Sequence, residues 1–224
     1  MKSMKKLLST PLTIAVLLVL AAGLIGYGGI NAVAAAPRIQ SNLFGAEVEL
    51  TDISTSLVET NAGHEKKTVA SADVTEPLLE GLVPEGEVFQ AGATYAEELA
   101  VTNDGDIPQY VRVTVFRYWT DDNGKDVSLD PGLIDIAWNE GPWVIDTAAS
   151  TDERVVLYYQ SILAPGDTSE ALTKSVTISQ NVLAAMTEGE YRYDGVTFHV
   201  KARVDAVQDH NGTQAMTGAW GRTI

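Results

Sequence analysis

The sequence predicts an all-β domain, a sandwich or barrel, preceded by an N-terminal export signal. Three observations carry this reading. Apolar and polar residues alternate at period two in short runs, turn dipeptides separate the runs, and helical periodicity is scarce.

The first element is the signal. Lys2, Lys5 and Lys6 form a positive region, Leu12 to Ile25 is apolar, and small residues follow from Gly28 to Ala36. This is the three-part layout of a secretory signal, with an A-x-A cleavage site at Ala32, Val33 and Ala34. Residues 1–34 are therefore read as a signal peptide, 35–46 as a flexible mature N-terminus and 47–224 as a single β-sandwich domain. The alternative is an uncleaved membrane anchor, since no charge interrupts Leu12 to Ile30 and a bilayer core needs about 20 such residues. Gly23, Gly26, Gly28 and Gly29 weaken the second half of that stretch as a helix.

Strand signals follow in order. Glu47 to Ile53 sets Val48 and Leu50 against Glu47, Glu49 and Thr51. Tyr95, Leu99 and Val101 are in step, and Val111, Val113 and Val115 alternate with Tyr110, Arg112, Thr114 and Phe116. Leu172, Val176 and Ile178 oppose Thr173, Ser175, Thr177 and Ser179. The clearest run is Val196 to Ala206, read as a central strand with its even-numbered side chains buried. Asp104-Gly105, Asn123-Gly124 and Asp194-Gly195 are read as tight turns that use positive φ. Pro131-Gly132, Gly141-Pro142 and Pro165-Gly166 mark further loops. Glu59 to Glu76 is polar and weakly patterned, and reads as a long loop. A short C-terminal helix is expected over Thr213 to Trp220, with Met216 and Trp220 four residues apart on one side.

Composition narrows the function. All 30 acidic residues but only 12 of the 15 basic ones lie after position 34, which leaves a net charge of −18 there with histidines neutral. Such a surface repels nucleic acid and anionic lipid. No cysteine is present, which excludes a disulfide scaffold, a thiol nucleophile and thiolate metal ligands. His64-Glu65-Lys66-Lys67 begins like a zinc-protease helix, but Thr68 stands where the second histidine belongs. Asp121 to Asp126 resembles the start of a calcium loop, but Lys125 occupies a ligand position and the closing glutamate is missing; it reads as a hairpin tip. No serine sits in a nucleophile elbow and no glycine loop cradles phosphate. No catalytic residue, metal or cofactor is assigned, and the chain is not read as an enzyme. Tyr118, Trp119, Trp138, Trp143, Tyr158 and Tyr159 cluster in mid-chain. They read first as packing, with an exposed platform for a surface glycan or protein as the sharper alternative.

Several stretches resemble the TasA/camelysin group of exported Gram-positive proteins, and most of all its alternate-signal members. They are Gly26-Tyr27-Gly28-Gly29, Glu97 to Gly105, Tyr110 to Val115, Val156 to Tyr159, Leu163 to Gly166, Val204 to Gln208 and Ala219-Trp220-Gly221. The resemblance implies a jelly-roll-like sandwich, processing by a signal peptidase, and fibres built by inserting one subunit's N-terminal strand into the next. Pro37 to Gly45 departs from the group's pattern of an aromatic pair followed by Ser/Thr-Asp. The functional expectation is a secreted or cell-surface structural protein, a self-assembling matrix or fibre subunit. Ile39, Leu43 and Phe44 would be the side-chain anchors of the assembly strand. The alternative is a monomeric surface binding module for glycan or protein, with a metal-dependent hydrolase a distant third. The membrane is contacted only through the N-terminal segment if that segment is kept.

Signal removal near Ala34 is directly measurable. Mass spectrometry of the secreted protein is expected to give a mature chain beginning at Ala35. Recovery of a chain still starting at Met1 in the membrane fraction would show an anchor instead.

Overall fold

The computed structural model describes residues 52–63, 65–70, 75–187 and 190–224. In chain order the strands are β1 (Thr55–Asn61), β2 (Glu65–Ala70), β3 (Glu76–Pro77), β4 (Thr94–Asn103), β5 (Gln109–Asp121), β6 (Gly124–Lys125), β7 (Ile134–Trp138), β8 (Trp143–Ile145), β9 (Arg154–Tyr159), β10 (Thr173–Ile178), β11 (Met186–Thr187), β12 (Glu190–Tyr191) and β13 (Thr197–Gln208). Two helices accompany them, α1 (Asn181–Ala184) and α2 (Gly212–Trp220). The strands form two antiparallel sheets, five strands in the order β2-β1-β4-β10-β7 and six in the order β3-β13-β5-β9-β8 with β6 on β5. A separate two-stranded ladder joins β11 and β12. The chain is an all-β sandwich.

Alternation explains the core. Along β5, Val111, Val113 and Val115 are buried between the sheets; along β13, Val200, Ala202 and Val204 are. The two strands pair over their whole length, from Thr197 opposite Thr120 to Gln208 opposite Gln109, so these side chains sit shoulder to shoulder. Leu57, Leu99, Val101, Val176 and Ile178 meet them from the five-stranded sheet. Three aromatics complete this core: Trp119, Trp143 and Tyr159. Each indole N–H finds a carbonyl, Trp119 at Asp130 (2.9 Å) and Trp143 at Glu170 (2.8 Å).

The ladder is irregular where β4 meets residues 168–172, and side chains take over from the backbone there. The Ser169 hydroxyl accepts from Val101 N at 3.0 Å and the Thr173 hydroxyl from Leu99 N at 2.9 Å. A register shift between Thr173 and Ser175 then turns Val176 and Ile178 inward and Lys174 out. A second polar node closes one end of the sandwich. Buried Asn103 donates to the Ile107 and Leu163 carbonyls, both at 2.8 Å, and its Oδ1 accepts from Gln109 Nε2 at 2.7 Å.

Several sequence expectations need correction. Thr55–Asn61 and Glu65–Ala70 form a hairpin, so most of the region read as a loop from Glu59 to Glu76 is strand. Its polar residues hid the pattern, and one of them, Glu59, is buried. Asp52 and Ile53 lie outside any strand, while residues 47–51 lie outside the described residues. The strand β13 is not central: it lies one place in from the edge, beyond which β3 pairs with it only at Lys201 and Ala202. The central place belongs to β5. Gly124 and Gly195 do use positive φ, at 110° and 70°. Gly105 does not. It is required by close approach, since a Cβ there would lie 2.4 Å from the Asp52 carbonyl oxygen and 2.5 Å from Gln109 Nε2. The loop at Asp121 is a two-residue hairpin tip, with Asn123 N donating to Asp121 Oδ1 at 2.7 Å.

The C-terminal helix forms as Gly212–Trp220. Met216 is buried, and Trp220 packs edge-on against Tyr158 on the outer face of the six-stranded sheet, with ring centroids 5.3 Å apart.

The parity of β13 gives a stability test. Val200 is 4 % exposed and Thr197 is exposed on the opposite parity. Val200→Asp is expected to cost on the order of 3 to 5 kcal/mol by placing an unpaired charge in the core, and Thr197→Asp less than half of that. Denaturant melts of the two variants check it; equal midpoints would contradict the placement.

Candidate functional site

The sequence candidates separate. Ala34, Ile39, Leu43 and Phe44 lie outside the described residues. Of the six mid-chain aromatics, Trp119, Trp143 and Tyr159 are in the core, and Tyr158 is buried beneath α2. Trp138 is half-buried at the end of β7, and Tyr118 is half-buried on the outer face of the six-stranded sheet. The six do not form one exposed platform. Tyr118 and Tyr158 do share the outer face, which is where the polar chemistry of this sheet collects.

That face is built by the residues that alternate with the core. On β5 it presents Arg112, Thr114, Phe116 and Tyr118; on β9, Arg154, Val156 and Tyr158; on β13, His199, Lys201, Arg203 and Asp205. Register brings them into rows: Lys201–Phe116–Arg154, Arg203–Thr114–Val156 and Asp205–Arg112–Tyr158. His199 stacks on Tyr118 at 5.1 Å and shares a 2.9 Å hydrogen bond with Thr120 Oγ1. Burial, aided by Lys201, pushes its pKa below the usual histidine value, so the ring is neutral at pH 7. Over the second row, between the first and the third, lies a groove of about 290 Å³, floored by buried Thr114 and Val156 and edged by Phe116, Arg154, Arg203 and Trp220.

One side of the groove is held by a ladder of charges and rings. Arg112 donates through Nε and Nη2 to Asp205 Oδ2 at 3.1 and 2.8 Å and lies 5.5 Å from the Trp220 ring centroid. Trp220 meets Tyr158, and Arg222 covers Tyr158 at 5.1 Å while pairing with Asp146 at 2.7 Å. Burial works to raise the Asp146 carboxyl. The Arg222 guanidinium and the Ala148 and Ala149 amides outweigh it and hold that carboxyl below the usual carboxylate range. This ladder fastens α2 to the sheet.

A second feature, missed by the pattern reading, is a carboxyl pair between β1 and β4. Glu97 is in step with Leu99 and Val101 and is 2 % exposed; Glu59 beside it is also buried. Asn61 Nδ2 donates to Glu97 Oε2 at 3.0 Å. Glu59 accepts from the backbone N–H of Leu79, which is held at φ 77°, a costly conformation for leucine. Burial, reinforced by the hydrogen-bonded Glu59 carboxyl, pushes the Glu97 pKa up to about 9, so Glu97 is neutral at pH 7. The only sequence signal was an acidic residue on the buried parity of β4. Among the described residues no cluster of three or more His, Asp or Glu is placed to hold a metal ion.

The pair makes stability depend on pH. Unfolded, the Glu97 carboxyl titrates near 4.5; folded, near 9. Between those values the folded chain keeps a proton that the unfolded chain releases. Stability from this group is therefore full below about pH 4.5 and declines as pH rises toward 9. Glu97→Gln is expected to flatten that decline and raise the urea midpoint at pH 8.5 above the parent's. Parallel pH profiles for parent and variant would show that Glu97 does not carry the effect.

No protein-family model, no curated protein and no solved structure matches this chain.

Proposed function

We propose that this chain is an exported structural subunit of the cell surface or extracellular matrix. In this reading it is released from its signal after Ala34 by a signal peptidase and assembles head to tail on a jelly-roll-like sandwich. It works by assembly and not by catalysis, and its partner is a second copy of itself. The observation that carries the reading is the edge at β13. The neighbouring strand β3 supplies only two paired residues, and beside them an apolar groove of about 490 Å³ opens. Leu78, Leu79, Leu82 and Phe89 line one side of it, with Phe198 and Val200 of β13 on the other. A short edge partner next to an apolar groove is the geometry that accepts an added strand. The mature N-terminus of a second copy is the occupant, with Ile39, Leu43 and Phe44 as anchors. Contacts of this kind are heterologous and do not close, so they propagate into filaments.

Both edges of the five-stranded sheet are guarded. The edge strand β2 carries Glu65 and Lys66, with Lys66 bridged to Glu80 at 3.0 Å, and β7 exposes Asp135. Such charges oppose sheet-to-sheet association at the five-stranded sheet, and in the six-stranded sheet the apolar groove lies beside β13.

Negative-stain microscopy of the mature protein tests the reading. Fibres are expected from residues 35–224, favoured by salt that screens the net charge, and their loss on deletion of residues 35–44. Fibres that form equally well from the truncated protein would remove this segment from the mechanism, and a monomer at every salt concentration would remove assembly.

A further inference from the structure

The outward residues of β5, β9 and β13 include four cations, Arg112, Arg154, Lys201 and Arg203, against one carboxylate, Asp205. The whole chain has the opposite balance, 30 acidic residues to 15 basic. We propose that this face is a binding site for an acidic polysaccharide, with Arg154 and Arg203 holding the sugar carboxylates and Phe116 and Trp220 packing against the rings.

The cations differ in how far they are already engaged. Arg112 is committed to Asp205 and stacked on Trp220. Arg154 gives one N–H to the Ala149 carbonyl at 2.8 Å and faces no carboxylate within 4 Å among the described residues. Lys201 pairs with none there either, and its ammonium stands 5.9 Å from the Tyr118 ring centroid. Arg203 reaches Asp205 only at 3.7 Å, and its buried Nε has no hydrogen-bond partner among the described residues.

Geometry sets the ligand. Lys201 and Arg154 flank Phe116 in register on the two neighbouring strands, roughly 10 Å apart at strand spacing, and Arg203 stands one step further along β13. Guanidinium forks match carboxylates with two parallel hydrogen bonds. The half-buried Phe116 and Trp220 line the groove with aromatic surface that suits the apolar C–H faces of a sugar. The groove between them, about 290 Å³, has room for a short stretch of saccharide at a time. Charge density decides between polyanions. With a net charge of −18 after position 34, the rest of the surface repels a densely charged phosphate chain. One carboxylate per sugar is sparse enough to place its charges on this face alone.

The test is titration of the full chain, kept soluble in mild detergent, with polygalacturonate oligomers. Neutral galactan of equal length and polyphosphate serve as comparison probes. Saturable binding of polygalacturonate that weakens with salt is expected, with neutral galactan inert and polyphosphate weaker. The double variant Arg154→Gln/Arg203→Gln should lose about tenfold or more in affinity. Lys174→Gln, exposed on β10 of the other sheet, should bind as the parent does. Melting temperatures matched to the parent exclude misfolding. Unchanged affinity in the double variant, polyphosphate binding as tight as polygalacturonate, or no polygalacturonate binding each overturn the proposal. Self-association that depends on Arg154 and Arg203 without glycan binding also overturns it, and assigns the face to a second copy.

Discussion

The pairing of β5 with β13 is the constraint on which the rest of this structure depends. Twelve consecutive residue pairs run without interruption from Thr197–Thr120 to Gln208–Gln109. Strand geometry sends successive side chains to opposite faces, so one choice of register sorts both strands at once. A slip of β13 by one residue would expose Val200, Ala202 and Val204 and push Lys201, Arg203 and Asp205 into the core. The same register that makes the core therefore makes the charged outer face. Packing and candidate function are two sides of one ladder.

With no cysteine to cross-link it, the sandwich is held by burial and by hydrogen bonds to most of what is buried, with Ser56 Oγ and Arg203 Nε among the exceptions. The irregular run beside β4 shows how closely the second condition is met. Where no regular strand is available, Ser169 and Thr173 place hydroxyls at hydrogen-bonding distance from the Val101 and Leu99 amides. Asn103 and Gln109 do the same for the turn that leads into β5, and Gly105 lets that turn pass within contact distance of the residues before β1. Glu97 meets the condition differently, by keeping its proton. A neutral carboxyl next to a carboxylate can share a hydrogen bond, whereas two buried charges would repel at short range.

Legibility in the sequence followed the number of buried faces. In β13 and β5 one face is apolar and the other polar, and the alternation located both. In β9, Val155, Leu157 and Tyr159 face the core while Val156 and Tyr158 are covered from outside, so the run RVVLYY has no period and gives no strand signal by alternation. The strand β1 fails for the reverse reason. Its buried positions include Thr55, Ser56 and Glu59, which read as polar loop until their partners are known. Helix α2 was legible from the Met216–Trp220 spacing. The outer-face site was only half legible. The residues were visible as the polar parity of two strands, but the row Lys201–Phe116–Arg154 exists only because β9 and β13 flank β5. Strand order is not written in local periodicity.

What separates a structural cation from an available one on this face is commitment to a partner. Arg112 and Arg222 each have a carboxylate at 2.8 or 2.7 Å and a ring beneath them, and together they hold α2 to the sheet. Fixed in that way, their donors are spent, and their removal would loosen the helix before it altered any ligand. Arg154 and Arg203 line the same groove, Arg154 on a backbone carbonyl with no carboxylate within 4 Å among the described residues and Arg203 3.7 Å from Asp205. An acidic chain has carboxylates to spare for pairing every arginine, and pairing exposed cations costs little. Leaving these two without a close carboxylate beside half-buried aromatic rings sets cations at the groove while its lining carboxylate, Asp146, is paired with Arg222. Local charge, and not the average over the chain, then governs which anion is held there.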